Sequence, residues 1–580
     1  MQKYWALLAL ALVGCGSQTT PTERVAADPE AATGFIAKSG QAAQQYMVAA
    51  ATPAAAEAGR KVLAAGGSAI DAAVAVQAML TLTEPQSSGI GGGGFLLYWD
   101  ASEQQLYTVD ARETAPAAAT PELFLDAQGQ PPASFLDAVV GGRSVGTPGI
   151  LRGLELAHQQ WGKLPWQQLF TDTITTAEQG FTVSARLQGL LDLEFHPGLK
   201  TLSPAKDYFY PNGQALKQGQ VLKNPELAAS LRMIAEQGAD AFYRGPLATQ
   251  IAQAVQQAER SPGTLSVEDL ASYQAVIREP VCSNYRVYEV CGMAPPSSGG
   301  ITVLQILSML ESKNLAELAP NSEQAVHYFT QASKLAFADR NRYIADSDFV
   351  DVPVTAMLDK GYLSERAQLI GERDLGKATP GELTTLVYAD DQSPEFPNTS
   401  HISIVDAEGN AVSLTTSIET GFGSGVMVGG FLLNNQLTDF SIVPEVNGNP
   451  VANRVEPGKR PRSSMSPMMV FDEQGELLHV VGSPGGARII NYVAQTLVGL
   501  LDWNLDMQAA MDLPHVTNLN GETALERGTT IEALAEGLKA RGHQVRVQDL
   551  NSGLHGISRL EDGSLYGGAD PRREGIATGQ

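Results

Sequence analysis

The stretch Asn398-Thr-Ser-His-Ile-Ser-Ile-Val-Asp406 places a cluster of polar and hydroxyl side chains directly before a short apolar alternation. Alternation with a period of two predicts a β-strand, here with Thr399 at its first residue. The triplet Glu408-Gly409-Asn410 predicts a turn, and residues 411–417 predict a second strand. Residues 399–417 are therefore predicted to form a β-hairpin.

Thr399 is the residue of this hairpin whose position suggests chemistry. A threonine hydroxyl is a weak nucleophile, but a cut before Thr399 would give it a free α-amine, with a pKa near ~7.7–8.0, as its own base. The preceding segment, 379–397, has no periodicity and collects proline, glycine and aspartate, which predicts an exposed loop. Such a loop before a strand-initiating threonine is typical of a self-cutting junction. The alternative is a purely structural threonine.

The composition describes a globular, turn-rich chain. Of its 580 residues, 43% are hydrophobic and 18% are charged, with 58 Gly and 32 Pro. Lys and Arg number 39 against 63 Asp and Glu, which gives a formal charge of −24. Because nucleic-acid binding needs a basic surface to neutralise phosphates, this balance argues against a nucleic-acid partner.

The N-terminus has the layout of a secretory signal. Lys3 precedes an apolar run, residues 5–13, which is too short to span a bilayer. The ending Leu12-Val-Gly-Cys15 resembles a bacterial lipobox, which implies that residues 1–14 are removed and that Cys15 carries a lipid. An ordinary signal with a chance cysteine is the alternative. Residues 15–40, rich in small and polar side chains, are predicted to be a flexible tether.

Two cysteines remain once Cys15 is assigned to the lipid. Cys282 and Cys291 flank the segment 283–290, which is a plausible hairpin that would place the two sulfurs opposite each other. An envelope compartment allows disulfides to persist. Both a disulfide and two free core cysteines are compatible with the sequence.

Two glycine-containing motifs suggest other chemistry. Residues 89–94 satisfy G-x-G-x-x-G, but a predicted helix precedes them and a strand follows, the reverse of a dinucleotide site. We expect these glycines to let two backbones approach closely. Gly142-Arg-Ser144-Val-Gly146 matches the nucleophile elbow of serine hydrolases, although residues 147–149 separate it from the next helix.

Two further features suit the binding of an anionic group. The glycine-rich turn 482–486 precedes an apolar helix, and its backbone N–H groups could stabilise a developing oxyanion. Arg112 ends a predicted strand, and its planar fork suits a carboxylate held through two hydrogen bonds.

Taken together, these residues resemble the γ-glutamyltransferase family from about residue 40 to the C-terminus. The markers of the resemblance are Gly91-Gly-Gly-Gly-Phe95, Val109-Asp-Ala-Arg112-Glu113, Pro295-Pro-Ser-Ser-Gly-Gly300, Thr399-Ser-His401, Leu433-Asn-Asn-Gln436-Leu-Thr-Asp439-Phe, Lys459-Arg-Pro-Arg-Ser463-Ser464-Met-Ser-Pro467 and Gly482-Ser-Pro-Gly-Gly486. The resemblance implies an α+β fold of the N-terminal-nucleophile hydrolase type, a four-layer αββα sandwich. It implies a precursor that cuts itself between Asn398 and Thr399 into a large subunit, 41–398, and a small subunit, 399–580.

The resemblance also implies a role for each site residue. Thr399 would be the nucleophile, Ser417 its hydroxyl partner, and Gly485 and Gly486 the oxyanion donors. The substrate-binding residues would be Arg112, Ser463 and Ser464 for the α-carboxylate of a γ-glutamyl group, and Glu419, Gln436 and Asp439 for its α-amino group. Ser400 and Ser417 stand where many members have threonine, and both keep the hydroxyl.

The activity implied is cleavage of the γ-glutamyl amide of glutathione and its conjugates, with transfer to water or to amino-acid and peptide acceptors. No cofactor and no metal are implied. Three alternatives remain at this point: an acylase of the same fold acting on cephalosporin-type amides, a serine hydrolase using Ser144, and a non-catalytic solute-binding lipoprotein. The lipobox further predicts a periplasm-facing anchor at a bacterial envelope membrane, and Gly16, in place of Asp, favours the outer membrane.

Replacing Cys15 with Ala should release the protein from the membrane fraction, because the acceptor of the lipid is lost. Fractionation of cells expressing each form, followed by immunoblotting, measures the effect. A Ser17→Ala variant, changed two residues further along, should stay membrane-bound. A Cys15→Ala protein that still sediments with membranes would contradict lipidation at this position.

Overall fold

The computed structural model of the chain describes residues 35–385, 387–394, 396 and 398–580. The predicted signal, Cys15 and most of the tether lie outside these residues. Within them, no helix has both the length and the apolar character needed to cross a membrane.

The strands follow the chain as β1 (Gln41–Ala43), β2 (Met47–Ala50), β3 (Gly93–Asp100), β4 (Gln105–Ala111), β5 (Phe181–Thr182), β6 (Val221–Leu222), β7 (Val276–Arg278), β8 (Val281–Tyr285), β9 (Tyr288–Gly292), β10 (Ser400–Val405), β11 (Ala411–Ser417), β12 (Met427–Val428), β13 (Phe431–Leu432), β14 (Glu445–Val446), β15 (Asn449–Pro450), β16 (Met468–Phe471), β17 (Leu477–Gly482), β18 (Val516–Asn518), β19 (Thr523–Glu526), β20 (Val545–Gln548), β21 (His555–Arg559), β22 (Leu565–Ala569) and β23 (Ile576–Gly579).

The helices are α1 (Pro53–Ala64), α2 (Ala69–Thr83), α3 (Phe135–Val139), α4 (Ile150–Trp161), α5 (Thr171–Gln179), α6 (Ala185–Asp192), α7 (Ala205–Phe209), α8 (Pro225–Gln237), α9 (Asp240–Tyr243), α10 (Pro246–Gln256), α11 (Val267–Ser272), α12 (Gly299–Leu310), α13 (Glu323–Tyr343), α14 (Val354–Met357), α15 (Lys360–Gln368), α16 (Ile489–Leu501), α17 (Met507–Asp512) and α18 (Ala535–Ala540).

Two antiparallel sheets form the centre of the described part of the molecule. One has the strand order β1-β22-β21-β17-β16-β9-β8, and the other has the order β23-β2-β10-β11-β3-β4-β7. Helices α1, α2 and α4 pack on the outer face of the second sheet, and α12 and α16 pack on the outer face of the first, with α13 packed against α12. The predicted four-layer αββα fold is confirmed.

The hairpin predicted from residues 399–417 is also confirmed. Strand β10 pairs antiparallel with β11, with Ser400 opposite Thr416 and Val405 opposite Ala411. Both strands are buried along their whole length, because one face packs on α2 and the other faces β17 and β21 of the first sheet. The strand starts at Ser400 rather than at Thr399, so Thr399 lies at the end of the connecting segment.

Local signals in the sequence explain why the helices begin where they do. Ser68 caps α2 by accepting a hydrogen bond from the Asp71 amide at 3.2 Å, and the Asp71 carboxylate accepts from the Ser68 amide at 2.9 Å. The longer helix α13 is capped by Ser322, whose hydroxyl accepts a hydrogen bond from the Ala325 amide at 3.4 Å.

The glycine run 89–94 brings the strands at the site together, as its sequence context predicted. A Cβ atom at Gly92 would lie 2.1 Å from the Ser417 carbonyl oxygen, so only glycine fits beside β11 at this point. A strand follows the run directly, since β3 begins at Gly93. The run is a packing feature and not a nucleotide loop.

Cys282 and Cys291 are joined by a disulfide across the β8–β9 hairpin, where the two residues are direct register partners. Together with Glu289 they are the group of possible metal ligands that the described residues contain. Sulfurs bonded to each other are not available as thiolate ligands, so this group does not constitute a metal site.

Candidate active site

A small cavity lies where the start of the β10–β11 hairpin meets loops from other segments of the chain. Nine of the residues singled out in the sequence line it, namely Arg112, Thr399, Ser417, Glu419, Gln436, Asp439, Ser463, Ser464 and Gly486. Phe396, Met465 and Ile489 complete the lining and had no signal in the sequence. Gly485 immediately precedes Gly486 on the same turn.

The peptide between Asn398 and Thr399 is buried and held on both sides. The Ser417 hydroxyl donates to the Asn398 carbonyl oxygen at 2.8 Å. The Asn398 side chain accepts from the Ser87 hydroxyl at 2.7 Å and donates to the Gln86 carbonyl at 2.6 Å. Ser417 was expected to bond the nucleophile itself; in the uncut chain its hydrogen bond goes to the carbonyl that a Thr399 hydroxyl would attack.

Two residues that are distant in sequence, Arg573 and Glu84, also hold the chain around Thr399. The Arg573 guanidinium donates to the Thr399 carbonyl at 3.2 Å, and the Ser400 hydroxyl donates to Glu84 at 2.6 Å. Arg573, Glu84 and Ser400 are all buried. Arg573 and Glu84 lie far from Thr399 in sequence, so sequence patterns could not place them at the site.

The histidine nearest in sequence to Thr399 is not placed to act as its base. The ring nitrogens of His401 are engaged with the hydroxyls of Thr415 at 2.8 Å and Ser403 at 3.0 Å. Burial between the sheets holds the pKa of His401 well below its usual range. His401 is therefore not the base for the Thr399 hydroxyl, and the α-amine of a cut chain stays the predicted base.

Arg112 ends β4 and is completely buried at one end of the cavity. Its Nε donates to the Pro461 carbonyl at 3.1 Å, and Nη2 donates to the Arg462 carbonyl at 2.9 Å and to the Asp439 carboxylate. Burial acts to lower the pKa of Arg112, but the neighbouring carboxylates, with Asp439 foremost, outweigh it and raise the pKa. Arg112 therefore carries a permanent positive charge at the cavity wall.

Glu113 lies directly behind this cation. Its carboxylate is 3.7 Å from Arg112 Nη1, and both of its oxygens are buried without a hydrogen-bond partner among the described residues. Burial raises the pKa of Glu113 to about 8, although the Arg112 charge opposes the rise. Glu113 is consequently protonated at neutral pH, which leaves Asp439 as the anion paired with Arg112.

Asp439, Glu419 and Gln436 form a second polar group at the cavity, beside Arg112. Gln436 Nε2 donates to Glu419 at 3.1 Å and to Asp439 at 2.9 Å. The Gln436 carbonyl oxygen is buried and accepts no hydrogen bond from the described residues. Two carboxylates thus meet at the Gln436 amide nitrogen beside the cavity, and carboxylates suit an ammonium group.

Ser463 and Ser464 stand at the cavity wall next to Arg112. The Ser463 hydroxyl accepts from the Met465 amide at 3.2 Å, and the Ser464 hydroxyl accepts from Arg340 at 2.6 Å. The Pro461 and Arg462 carbonyls, from the same loop, are the ones that hold the Arg112 guanidinium. One loop therefore positions both the cation and the two hydroxyls.

The glycine turn after β17 has the conformation that only glycine adopts easily. Gly485 has φ +136° and Gly486 has φ +55°. A Cβ at Gly485 would lie 2.6 Å from the Tyr492 ring, so α16 packs directly under this turn. A short 3₁₀ turn, Gly486–Arg488, then leads into α16, which places the Gly486 backbone at the cavity.

The segment 441–458, whose conformation the sequence did not indicate, forms a small hairpin. Strands β14 and β15 are joined by a turn with positive φ at Asn447 and Gly448. The Ile442 amide donates to the Ser393 hydroxyl at 2.9 Å, which holds the hairpin against the chain that leads to the junction. Asp391 anchors that chain through Arg462 Nη2 at 3.1 Å.

The nucleophile-elbow interpretation of Ser144 is wrong. Ser144 is fully buried in a short 3₁₀ turn, Gly142–Ser144, and its hydroxyl donates to the Val139 carbonyl at 2.5 Å. It does not line the cavity that holds Thr399. Its hydroxyl serves the turn and is not exposed to a substrate.

The fold and the cavity together define a hydrolase of the N-terminal-nucleophile class. The sandwich of two sheets carries a threonine at the start of a central strand, beside a cation, two carboxylates and a glycine turn. Comparison with known proteins identifies the family. The family described as Gamma-glutamyltranspeptidase matches residues 55–580, and the chain belongs to this family.

Individual relatives cover almost the same extent. The chain is 40% identical over 540 residues to the "Glutathione hydrolase proenzyme" of Escherichia coli (strain K12), covering 91% of each chain. It is 38% identical over 547 residues to the protein of the same name from Bacillus subtilis (strain 168), covering 92% of this chain and 91% of the relative. The crystal structure of a cephalosporin acylase from Bacillus halodurans superposes with a TM-score of 0.83 at 29% identity, over 94% of this chain and 97% of that one.

These findings confirm that the protein is an enzyme, so the solute-binding alternative is wrong. They do not test the roles assigned to individual residues, which stay predictions.

Replacing Arg112 with Lys should weaken binding of substrates that carry an α-carboxylate by roughly tenfold to a hundredfold, because one charge-assisted hydrogen bond of ~1.5–3 kcal/mol is lost. A lysine ammonium cannot satisfy the Pro461 and Arg462 carbonyls and a bound carboxylate together. Steady-state kinetics with a γ-glutamyl anilide measure the effect as a rise in KM.

Arg278→Lys is the matched control, since Arg278 pairs with Asp110 and Asp348 outside the cavity. Its kinetics should match those of the unchanged protein. If Arg112→Lys also behaves like the unchanged protein, Arg112 does not bind the carboxylate.

Proposed function

We propose that the protein is a γ-glutamyl hydrolase and transpeptidase that cleaves the γ-glutamyl amide of glutathione and related compounds. One observation carries the proposal: a single cavity holds a permanent cation, a carboxylate pair and Thr399. An amino-acid head group needs a cation for its carboxylate and anions for its ammonium. Held at both groups, the substrate would present its γ-carbonyl to the nucleophile at a fixed distance. The names of the bacterial relatives support glutathione as a substrate.

The first reaction would be the cut of the chain itself. The Thr399 hydroxyl attacks the Asn398 carbonyl carbon, the bond from that carbon to the Thr399 nitrogen breaks, and an ester to the threonine oxygen forms. Water then hydrolyses the ester, leaving a carboxylate on Asn398 and a free amine on Thr399. The Ser417 hydroxyl, 2.8 Å from the carbonyl oxygen, is placed to stabilise the negative charge that develops there.

Turnover would repeat this chemistry on a substrate. Arg112, Ser463 and Ser464 would bind the α-carboxylate, while Asp439, Glu419 and the Gln436 carbonyl would bind the ammonium. The free amine takes the proton of the Thr399 hydroxyl, and the oxygen attacks the γ-carbonyl. Backbone N–H groups of Gly485 and Gly486 would stabilise the oxyanion, and the proton leaves with the departing amine. Water or an acceptor amine then releases the γ-glutamyl group.

The subunit boundaries and the location of the enzyme belong to the same proposal. We infer a large subunit ending at Asn398, a small subunit beginning at Thr399, and a lipid on Cys15 that holds the enzyme on the periplasmic side of an envelope membrane. The lipobox-like sequence supports the anchor, and the word "proenzyme" in the names of the relatives supports cleavage.

The second candidate is an acylase of the same fold, which the likeness to the cephalosporin acylase structure favours. The carboxylates beside Gln436 argue for a substrate with an ammonium group, because Asp439 and Glu419 both line the cavity and accept hydrogen bonds from N–H donors. Glutaryl amides, which lack that ammonium, therefore discriminate the two: a γ-glutamyl enzyme should prefer the γ-glutamyl amide.

Replacing Thr399 with Ala should give an uncut and inactive chain, because the hydroxyl serves both the acyl shift and turnover. In the unchanged protein, fragments 15–398 and 399–580 should run at about 41 and about 19 kDa, in proportion to 61.4 kDa over 580 residues. Denaturing gels and an anilide assay measure both effects. Thr399→Ser should still cut and turn over, more slowly, because χ1 is less restricted.

The control is Ser144→Ala, which should cut and turn over normally. N-terminal sequencing of the small fragment should begin Thr-Ser-His-Ile-Ser. A different start, or a fully active single chain, would overturn the mechanism.

Replacing Ser417 with Ala should slow the cut by about a hundredfold or more, because one donor to the developing oxyanion is removed. The rate is followed on gels after synthesis of the precursor in vitro. Ser413→Ala is the matched control: Ser413 lies four residues earlier on the same strand, and its hydroxyl donates to the Val481 carbonyl at 3.4 Å. Equal cutting rates for the two variants would remove Ser417 from the reaction.

A further inference from the structure

The two serines at the carboxylate end of the cavity are held by a second segment of the chain, residues 295–298. The Ser463 amide donates to the Pro296 carbonyl at 3.0 Å. The Ser463 carbonyl accepts from both the amide and the hydroxyl of Ser298, each at 2.7 Å. The backbone that carries Ser463 and Ser464 is therefore fixed on both of its polar sides.

Arg340, near the end of α13, joins these two segments from behind. It is 2% exposed and does not line the cavity. Its Nη2 donates to the Ser464 hydroxyl at 2.6 Å, and its Nε donates to the Ser298 hydroxyl at 2.9 Å. The planar guanidinium of Arg340 thus contacts Ser464 at the cavity wall and also Ser298, which holds the neighbouring Ser463.

The chemistry of the guanidinium sets the direction of these hydrogen bonds. An arginine carries N–H donors and no acceptor, so each serine oxygen must accept from it. The Ser298 proton is then directed to the Ser463 carbonyl, in agreement with the 2.7 Å contact. The Ser464 proton must likewise point away from Arg340.

We propose that Arg340 is a positioning residue for the substrate's α-carboxylate, which it never touches. By donating to Ser464, it fixes the position of the Ser464 hydroxyl at the cavity wall. By donating to Ser298, it fixes the peptide on which both serines stand. The inference rests on the proposed function, because it assigns the α-carboxylate as the group that the two serines recognise.

The planar geometry of the Arg340 guanidinium is essential to its positioning role. Donors on two different nitrogens, Nε and Nη2, reach two oxygens at once. A lysine ammonium is a compact charge on a flexible stem and lacks this planar geometry. Arg340→Lys should therefore keep the positive charge but orient the serines poorly, whereas Arg340→Met removes both.

The test compares two substrates in Arg340→Met and Arg340→Lys: a γ-glutamyl anilide and the 4-aminobutyryl anilide, which lacks only the α-carboxylate. We expect kcat/KM for the γ-glutamyl substrate to fall about tenfold, mainly through KM, with little change for the 4-aminobutyryl substrate. Ser464→Ala should also lower the ratio of kcat/KM for the γ-glutamyl substrate to kcat/KM for the 4-aminobutyryl substrate. The double variant Arg340→Met with Ser464→Ala should lose no more than the larger single loss, because the Ser464 hydroxyl is one of the groups through which Arg340 acts.

Arg366→Met is the matched control. Arg366 lies on α15, is buried, and donates to the Leu335 carbonyl of the same helix α13 and to the Thr379 carbonyl. It should lower stability, measured as Tm, without changing the substrate ratio. Gels confirm self-cutting of every variant before kinetics.

The possible results of these assays distinguish a failure of the Arg340 inference from a failure of the proposed function. An unchanged protein that cuts itself but does not hydrolyse the γ-glutamyl substrate overturns the proposed function. An unchanged protein that is active, with Arg340 variants that lose both substrates equally, overturns the positioning role. If Arg340→Met does not fold, Ser298→Ala takes its place: a lowered ratio supports the inference, and an unchanged ratio contradicts it.

Discussion

The buried guanidinium of Arg112 is the interaction on which the rest of the site depends. A permanent charge can be taken out of water only if its donors are satisfied and an anion is near. Here the backbone of residues 461–462 satisfies the donors and Asp439 supplies the anion. Because these partners come from separate segments, satisfying one side chain brings β4, the Gln436–Asp439 turn and the serine-bearing loop to one place.

Burial and hydrogen bonding also set the charges of the two acidic residues next to Arg112. Glu113 and Asp439 both lie within salt-bridge distance of Arg112, but only Asp439 accepts a hydrogen bond from it. The burial that raises the pKa of Glu113 to about 8 keeps that acid neutral. Asp439 already balances the charge of Arg112, so ionisation of Glu113 as well would give this cluster a net negative charge, which would repel an anionic group.

Sequence patterns predicted the parts of this site that are local in the chain. The hairpin 399–417, the cap at Ser68 and the close approach at Gly92 each follow from residue type and spacing. The resemblance to a family brought together residues that spacing alone could not, such as Arg112 and Asp439. Contacts between distant segments could not be predicted from the sequence. The hydrogen bond from Arg573 to the Thr399 carbonyl, the hydrogen bond from Arg340 to Ser464 and the neutral state of Glu113 all depend on burial that the folded chain creates. Ser144 matched a motif, but its hydroxyl is used by its own turn.

The order of strands in the two sheets has a consequence for the cut chain. Strands from before residue 398 and strands from after it are interleaved: β2 lies between β23 and β10, and β1 and β9 enclose β22, β21, β17 and β16. Two polypeptides interleaved in this way share both central sheets of the molecule. They have no interface that can open while both stay folded, so dilution cannot part them and their dissociation has the rate of global unfolding. Cleavage at the junction would thus change the covalent structure of the protein without making its integrity depend on concentration, as that of an ordinary heterodimer does.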